Sequence, residues 1–428
     1  MPATAHHYRS RLRGALSRYR DVSRSLRTPA SRQSRYGLDA MNFFIADVQT
    51  GFGTFVAFYL AGLGWSNANI GLALGVGGLA GMLAQIPGGA LADAVAWKRG
   101  LAALGIVMLA GAALILALRP SFVLVFVAEI LHGLTAGIIT PVIGAISLGL
   151  VGRRAMSLRT GRNFRFAAAG HALTAAVMGL LGAYFSNSAI FLAVGILCIP
   201  ALVSASFIKA SEVDYARARN AATGEQAGKL QRVLDLAKNR RLFSFALCLM
   251  LFQLADASML PLLGENLAMA KLKLGSILMS GLIVVPQIVV AILAPWVGYH
   301  SEAKGRRPLL LLGFALEPIR AVLLALTDDY WVLIIGQLMS GLSGATITVL
   351  TVLVITDLTT GTGRFNLAQG AVGMMTGIAA AVSTAMTGFI YQDLGHSAGF
   401  LIIAVIAGAA TLLLWMSLSE TKPAQYLD

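Results

Sequence analysis

Among the carboxylates that stand inside long apolar stretches of this 428-residue chain are Asp47, Glu129 and Asp256. An ionisable group deep in hydrocarbon costs several kcal/mol, so each is a candidate functional residue by default. Asp47 shares a helical stripe with Thr50 and Thr54, and Phe43 flanks it. Asp256 stands midway along another stretch, with Gln253 on the same side. Glu129 heads a face that continues through His132, Gly133, Ala136 and Thr140. A carboxylate in a dry cavity can exchange a proton when access to it alternates between two sides. A histidine, with an ordinary pKa near 6.5, can do so at cellular pH. Gln337, Ser340, Gly341, Gly344 and Thr348 repeat the stripe in neutral form and would supply hydrogen bonds. The same acids with His132 could instead ligate a metal ion. Glu317 and Arg320, three apart on one helix face, read as an internally neutralising pair. His171 reads as an interhelical hydrogen-bonding residue rather than a ligand.

These residues need long helices to hold them. A bilayer core of about 30 Å requires roughly 20 apolar residues per crossing. Twelve such spans can be drawn: 38–63, 68–91, 100–118, 121–150, 164–185, 188–208, 242–264, 274–297, 308–326, 331–357, 366–391 and 397–418. The composition agrees, with 57% hydrophobic residues, 12% charged and a mean hydropathy of +0.76. Soluble domains carry about 25% charged residues, so a water-soluble enzyme is excluded. The spans are continuously apolar rather than alternating, which excludes a transmembrane barrel. The 46 glycines include Gly71-x3-Gly75, Gly77-x3-Gly81, Gly133-x3-Gly137 and Gly373-x3-Gly377, spacings that pack helices closely. Pro87, Pro141 and Pro286 can kink their helices.

The net charge of +14 could signal a nucleic-acid partner, but its distribution says otherwise. Of 33 Lys and Arg, 29 fall on one side of the drawn topology: the tail 1–37, the loop 209–241 and the shorter loops of that side. Only Arg119, Lys271 and Lys273 lie opposite, and Arg320 lies within a span. The positive-inside rule sets both termini and the central loop in the cytoplasm. The charge thus reports orientation, and no nucleic-acid partner is expected. The Arg- and Ser-rich tail also resembles a transit peptide; no short apolar region with a cleavage site follows it, and it is expected instead to be a positive-inside cytoplasmic tail lying on anionic lipid. Cys198 and Cys248 both fall inside spans and offer neither a disulfide framework nor metal-ligand spacing. No phosphate-binding loop precedes a helix, so direct ATP drive is unsupported and no cofactor is expected.

The chain repeats itself. Ala46-Asp47 recurs as Ala255-Asp256, and Gly89 with Asp93 as Gly298 with Glu302, each 209 residues on. Gly133 recurs as Gly341 and Tyr184 as Tyr391 at nearly the same shift. The organisation drawn is a basic tail 1–37, a six-helix bundle 38–208, a central loop 209–241, a second bundle 242–418 and a tail 419–428. In such repeats a site lies at the interface near the midplane, and rocking of the halves alternates access to it.

The loop after the second span reads Gly89-Ala-Leu91-Ala92-Asp93-Ala-Val-Ala-Trp-Lys98-Arg99, and its repeat Gly298-Tyr-His-Ser-Glu302-Ala-Lys304-Gly305-Arg306-Arg307. This pair resembles the G-x-L-A-D-R-x-G-R-R/K signature of the major facilitator superfamily, over about residues 38–418. The resemblance implies an all-α fold of twelve transmembrane helices in two pseudo-symmetric bundles, with spans 1, 4, 7 and 10 lining a central cavity. Gly89, Asp93, Arg99, Gly298, Glu302 and Arg306 are then conformational-gate residues. Asp47, Glu129, His132 and Asp256 become proton-coupling or substrate residues, with Thr50, Gln253, Gln337 and Ser340 lining the cavity. The family's fourth-span pattern R-x-x-Q-G reads Glu129-Ile-Leu-His132-Gly133 here, a more acidic cavity that favours a cationic or metal-associated substrate. The fifth span lacks the G-x-x-x-G-P-x-x-G-G pattern of many drug antiporters.

The expectation is a secondary active transporter of a small solute, proton-coupled, with efflux favoured, acting as a monomer in a bacterial inner membrane. The competing expectation is a facilitator, exporter or importer of a metal ion or chelate bound by Asp47, Glu129, His132 and Asp256. A membrane enzyme or sensor on the same fold would be marked by a large extramembrane domain or a polar catalytic cluster in a loop, and external loops only a few residues long disfavour it.

Overall fold

A computed structural model describes residues 30–118, 120–184, 187–221, 239–269, 275–327, 329–394 and 396–422. Among them stand twelve helices of 20 residues or more: α1 (Arg32–Gly62), α2 (Asn67–Ala94), α3 (Lys98–Leu118), α4 (Phe122–Val151), α5 (Met156–Tyr184), α6 (Asn187–Phe207), α7 (Arg240–Met269), α8 (Gly275–Lys304), α9 (Arg307–Leu326), α10 (Tyr330–Leu358), α11 (Phe365–Leu394) and α12 (His396–Ser417). Nine of them, judged on the described residues, are long and apolar enough to cross a membrane. The class is all-α.

Local sequence sets the helix ends. The Ser66 side chain accepts from the Asn69 N–H and starts α2, and Asp329 accepts from the Trp331 N–H and starts α10. The turns use glycine where the backbone has positive φ, as at Gly152 (φ 67°) after α4 and Gly305 (φ 89°) before α9. Helix α5 begins eight residues before its apolar span. Its first turns carry Arg159 and Arg162, which close on the buried Asp39 of α1.

In the first half α1 packs on α5 and α6, α4 on α2 and α3, and α3 on α6. In the second, α7 packs on α11 and α12, α10 on α8 and α9, and α9 on α12. Adding six to each helix number turns one set into the other. Between the halves the main contacts, α5 with α8 and α2 with α11, obey the same rule. One buried cluster, around Met41, Ile106 and Phe191, fills the first half, and two, around Phe245 and Phe400, fill the second.

Helices in lipid gain no hydrophobic drive from meeting one another, so close packing of small residues must hold them. A Cβ on Gly133 of α4 would stand 2.2 Å from the Gly77 carbonyl of α2, and one on Gly341 of α10 2.8 Å from the Pro286 carbonyl of α8. Between the halves, a Cβ on Gly89 would meet the Asn366 carbonyl at 2.3 Å, and one on Gly298 the Ser157 carbonyl at 2.4 Å. Both members of this second pair lie 209 residues from their counterparts. Outward faces present Leu72, Leu83, Ile292 and Val405, the exposed apolar surface a lipid-facing helix requires.

Candidate functional site

Between the halves lies a cavity of about 220 Å³, bounded by α1, α4, α5, α10 and α11. Its polar lining is Asn42, Thr140, Thr160, Asn163, His171 and Gln369, set among Ile139, Ile143 and Val352. A network behind it fixes these side chains. Asn42 Nδ2 donates to Asn163 Oδ1 (3.3 Å), Asn163 Nδ2 donates to Ser147 Oγ (2.7 Å), and Arg159 Nε donates to Asn163 Oδ1 (2.7 Å). Arg159 and Arg162 both engage Asp39, so the carboxylate is matched and the guanidinium of Arg159 orients Asn163 from behind. Thr160 Oγ1 is buried there with no partner among the described residues, which leaves a hydroxyl for a bound solute. The described lining is neutral apart from His171, and it offers hydrogen bonds rather than charge.

Sequence reasoning passed over Asn42, Thr160, Asn163 and Gln369. One signal was available: Thr160 and Gln369 are 209 residues apart, equivalent polar positions of α5 and α11 that meet one cavity.

Of the acids expected to carry function, the side chain of Asp47 lies outside the described residues, as does that of Thr50. Their neighbours Ile45 and Ala46 border the cavity. Glu129 is buried at the α2–α4 contact rather than in that cavity. Its carboxylate covers Gly77, where a Cβ would stand 2.4 Å from Oε2, and its Oε1 has no partner among the described residues. His132 is half-buried one turn further along α4.

Asp256 belongs to a second cluster. Arg320 Nη1 of α9 donates to Asp256 Oδ1 of α7 (3.2 Å) and to Glu317 Oε1 (2.9 Å). The Glu317 and Arg320 side chains are 1% and 3% exposed, whereas that of Asp256 is 36% exposed. Two carboxylates thus share one guanidinium, leaving one negative charge in excess when both are ionised. A buried net charge is costly, and a proton or cation at the accessible Asp256 would balance it. The i,i+3 pair expected at 317 and 320 is present, and a second helix joins it. Gln253 and Ser340 are half-buried and Gln337 is buried, with Nε2 lacking a partner among the described residues; none of the three borders the cavity.

The six gate candidates gather at one end. Asp93 Oδ1 accepts from Asn366 N (3.2 Å) and Asn366 Nδ2 (2.8 Å), and Oδ2 accepts from Leu367 N (2.8 Å). The carboxylate therefore caps the first turn of α11 in the other half, where the helix presents free N–H groups and positive dipole. Glu302 accepts from Ser157 Oγ near the start of α5, again across the halves, and from Arg306 (2.8 Å). Gly89 and Gly298 are the close-approach points beside these acids. Arg306 also bonds Asp357 of α10 (3.3 Å), while Arg99 donates to the Ser206 and Ile208 carbonyls at the end of α6, so both cations tie elements of their own half.

One latch had no sequence signal. Glu420, beyond α12, accepts from Arg306 N (2.8 Å) and Arg307 N (3.1 Å) at the start of α9, and from Thr421 N and Lys422 N of its own turn. Burial acts to raise this carboxyl, but the four backbone donors outweigh it and hold it below the ordinary carboxylate range.

The Major Facilitator Superfamily model matches residues 38–316 and 245–427. An MFS-type transporter of Mycobacterium tuberculosis is 36% identical over 387 residues, 90% of this chain and 93% of that one. The class B tetracycline resistance protein of Escherichia coli is 33% identical over 135 residues, about a third of each chain. A crystal structure of a human organic anion transporter superposes with a TM-score of 0.66 at 15% identity, covering 90% of this chain and 100% of that one.

Proposed function

The chain belongs to the major facilitator superfamily, and on that premise we propose that it exports a small solute by proton-coupled alternating access. That it is an integral, multi-pass membrane transporter and not an enzyme follows from the family itself. The observation that carries the coupling is the Asp256–Arg320–Glu317 cluster. With both carboxylates ionised it holds one excess negative charge within apolar helices, and Asp256 is the accessible member. Protonation there removes the charge, and a change of buried charge can bias which of two packings is favoured.

The twelve helices act as twelve crossings in two six-helix bundles, and the end carrying Asp93 and Glu302 faces the cytoplasm by the charge asymmetry. The α2–α11 and α5–α8 contacts close that end in this conformation. Rocking about the interface would open it and close the other. Asn42, Thr160, Asn163 and Gln369 then hold a solute bearing hydrogen-bond donors and acceptors, with Glu129, His132 and Asp47 as further proton carriers. Relatives named for tetracycline resistance favour export, and bacterial relatives favour a bacterial inner membrane. A monomer suffices, because both repeats are in one chain. The metal-facilitator reading has less support, since among the described residues no three of His, Cys, Asp and Glu converge.

The test is a thermal-shift screen of the purified protein against organic cations, neutral solutes, organic acids and metals at two pH values. Hits then enter gradient-driven uptake assays in proteoliposomes. If Asp47→Asn and Asp256→Asn both retained full gradient-driven accumulation, the proton role assigned to these acids would be wrong.

A further inference from the structure

The central loop after α6 does more than join the halves. Its residues 213–221 fold back under the closed end, around a four-residue helix Tyr215–Ala218. Toward the first half, Asp214 N donates to the Gly149 carbonyl of α4 (3.3 Å), and Tyr215 Oη donates to the carbonyls of Asp93 (3.1 Å) and Ala94 (3.0 Å) on α2. Gly149 leaves the room that Val213 and Ala218 fill. Toward the second half, Phe365 N donates to the Arg219 carbonyl (3.3 Å) and Gly363 N to the Asn220 carbonyl (3.4 Å). Asn220 Nδ2 donates to the Thr356 carbonyl (2.7 Å) and Thr359 Oγ1 (3.3 Å) of α10.

Asn366 ties this segment to the gate. Its single Nδ2 group donates to Asp93 Oδ1 (2.8 Å) and to the Ala218 carbonyl (2.9 Å). One amide thus reads both the acid of α2 and the loop beneath it. Asn220 is buried and has φ 60°, a left-handed conformation that asparagine adopts more readily than other non-glycine residues and that here aims its side chain at α10. A solvated linker needs none of this.

We infer that residues 213–221 form a strap that clips the two halves together at the Asp93 end and must release from α10 and α11 before that end opens. The strap is continuous with α6 and so stays with the first half. The plane of rupture is its bonds to Thr356, Thr359, Gly363, Phe365 and Asn366. This rests on the alternating-access reading and adds a component to it that the loop signatures do not contain. Losing the two buried hydrogen bonds made by the Asn220 side chain shifts the closed-to-open ratio roughly 30-fold.

The experiment uses the full-length protein in nanodiscs, with Cys198 and Cys248 replaced by Ala and spin labels at Ala96→Cys and Thr360→Cys. Both label sites are exposed, one on each half. Electron–electron distance distributions then report the width of this end. Asn220→Gly keeps the left-handed backbone and removes only the amide. Thr359→Val removes the hydroxyl that accepts from the Asn220 amide across the plane of rupture. The long-distance population is expected to rise several-fold in Asn220→Gly and in the same direction in Thr359→Val. A long-distance population present in the unsubstituted protein and unchanged in both variants overturns the strap alone. Its absence from every form, under all substrate and pH conditions, overturns the alternating-access reading as well. Should Asn220→Gly fail to fold, Thr359→Val decides.

Discussion

Replacing Arg320 by Met removes the cation that Asp256 and Glu317 share among the described residues, and the structure sets the size of the effect. Arg320 and Glu317 are almost wholly excluded from solvent and 2.9 Å apart. Breaking such a buried pair by removing one partner costs about 3–5 kcal/mol, because an uncompensated charge remains. Asp256, at 36% exposed, adds at most about 1 kcal/mol, since solvent screens it. Glu317→Gln should be far milder, within about 1 kcal/mol, because Arg320 keeps Asp256 and an amide oxygen keeps one acceptor. The double variant Arg320→Met/Glu317→Gln has no unmatched buried charge at 317, so most of the loss should be recovered. Equilibrium unfolding in mixed micelles of the four proteins gives the coupling energy, expected at 2 kcal/mol or more on the scale measured for contacting residues. Single losses that simply add, to within about 0.5 kcal/mol, would refute a shared buried cluster.

Three further outcomes follow from the closed end. Gly298→Val places a Cβ 2.4 Å from the Ser157 carbonyl backbone, so the α5–α8 contact cannot close. Cysteine pairs across that contact should lose at least tenfold in crosslinking rate while the protein stays folded. Asp93→Asn converts charge-assisted bonds to neutral ones and sets an amide donor against one of its three N–H donors. It should weaken closure by about 2–3 kcal/mol, read as a population shift in distance measurements. Glu420 titrates below the ordinary carboxylate range, so its contribution to stability is complete above about pH 4.3 and disappears as pH falls through its lowered value. Glu420→Gln should flatten that acid limb of the unfolding profile while changing the slope near pH 7 little.

The repeat was legible because it is written in residues with few alternatives. Glycines at 89 and 298 have to be glycine to fit between backbones, while the acid at 93 caps α11 and the acid at 302 holds Ser157 and Arg306. The apolar spans were legible for the same reason, although the turns of α5 that carry Arg159 and Arg162 lie outside an apolar pattern. Pairs within a helix, such as Glu317 and Arg320, follow from spacing alone. That Asp256 completes their cluster does not, because the packing of α7 on α9 is a tertiary fact. Nor does the placement of Glu129 against Gly77, since the stripe of α4 faces both α2 and the cavity, and sequence cannot tell which claims a given side chain. Asn42 and Asn163 carry no charge and no repeat signal, so nothing in the sequence marks them. The strap was hidden by composition, because a charged loop reads as solvated whether or not its backbone is bonded.

The most direct measurement places a pH-sensitive dye inside proteoliposomes and adds a solute that binds in the thermal-shift screen. Proton movement accompanying the solute, lost in Asp256→Asn while binding persists, is the predicted result. Solute movement without any pH change, or proton movement unaltered in Asp256→Asn, would contradict the account.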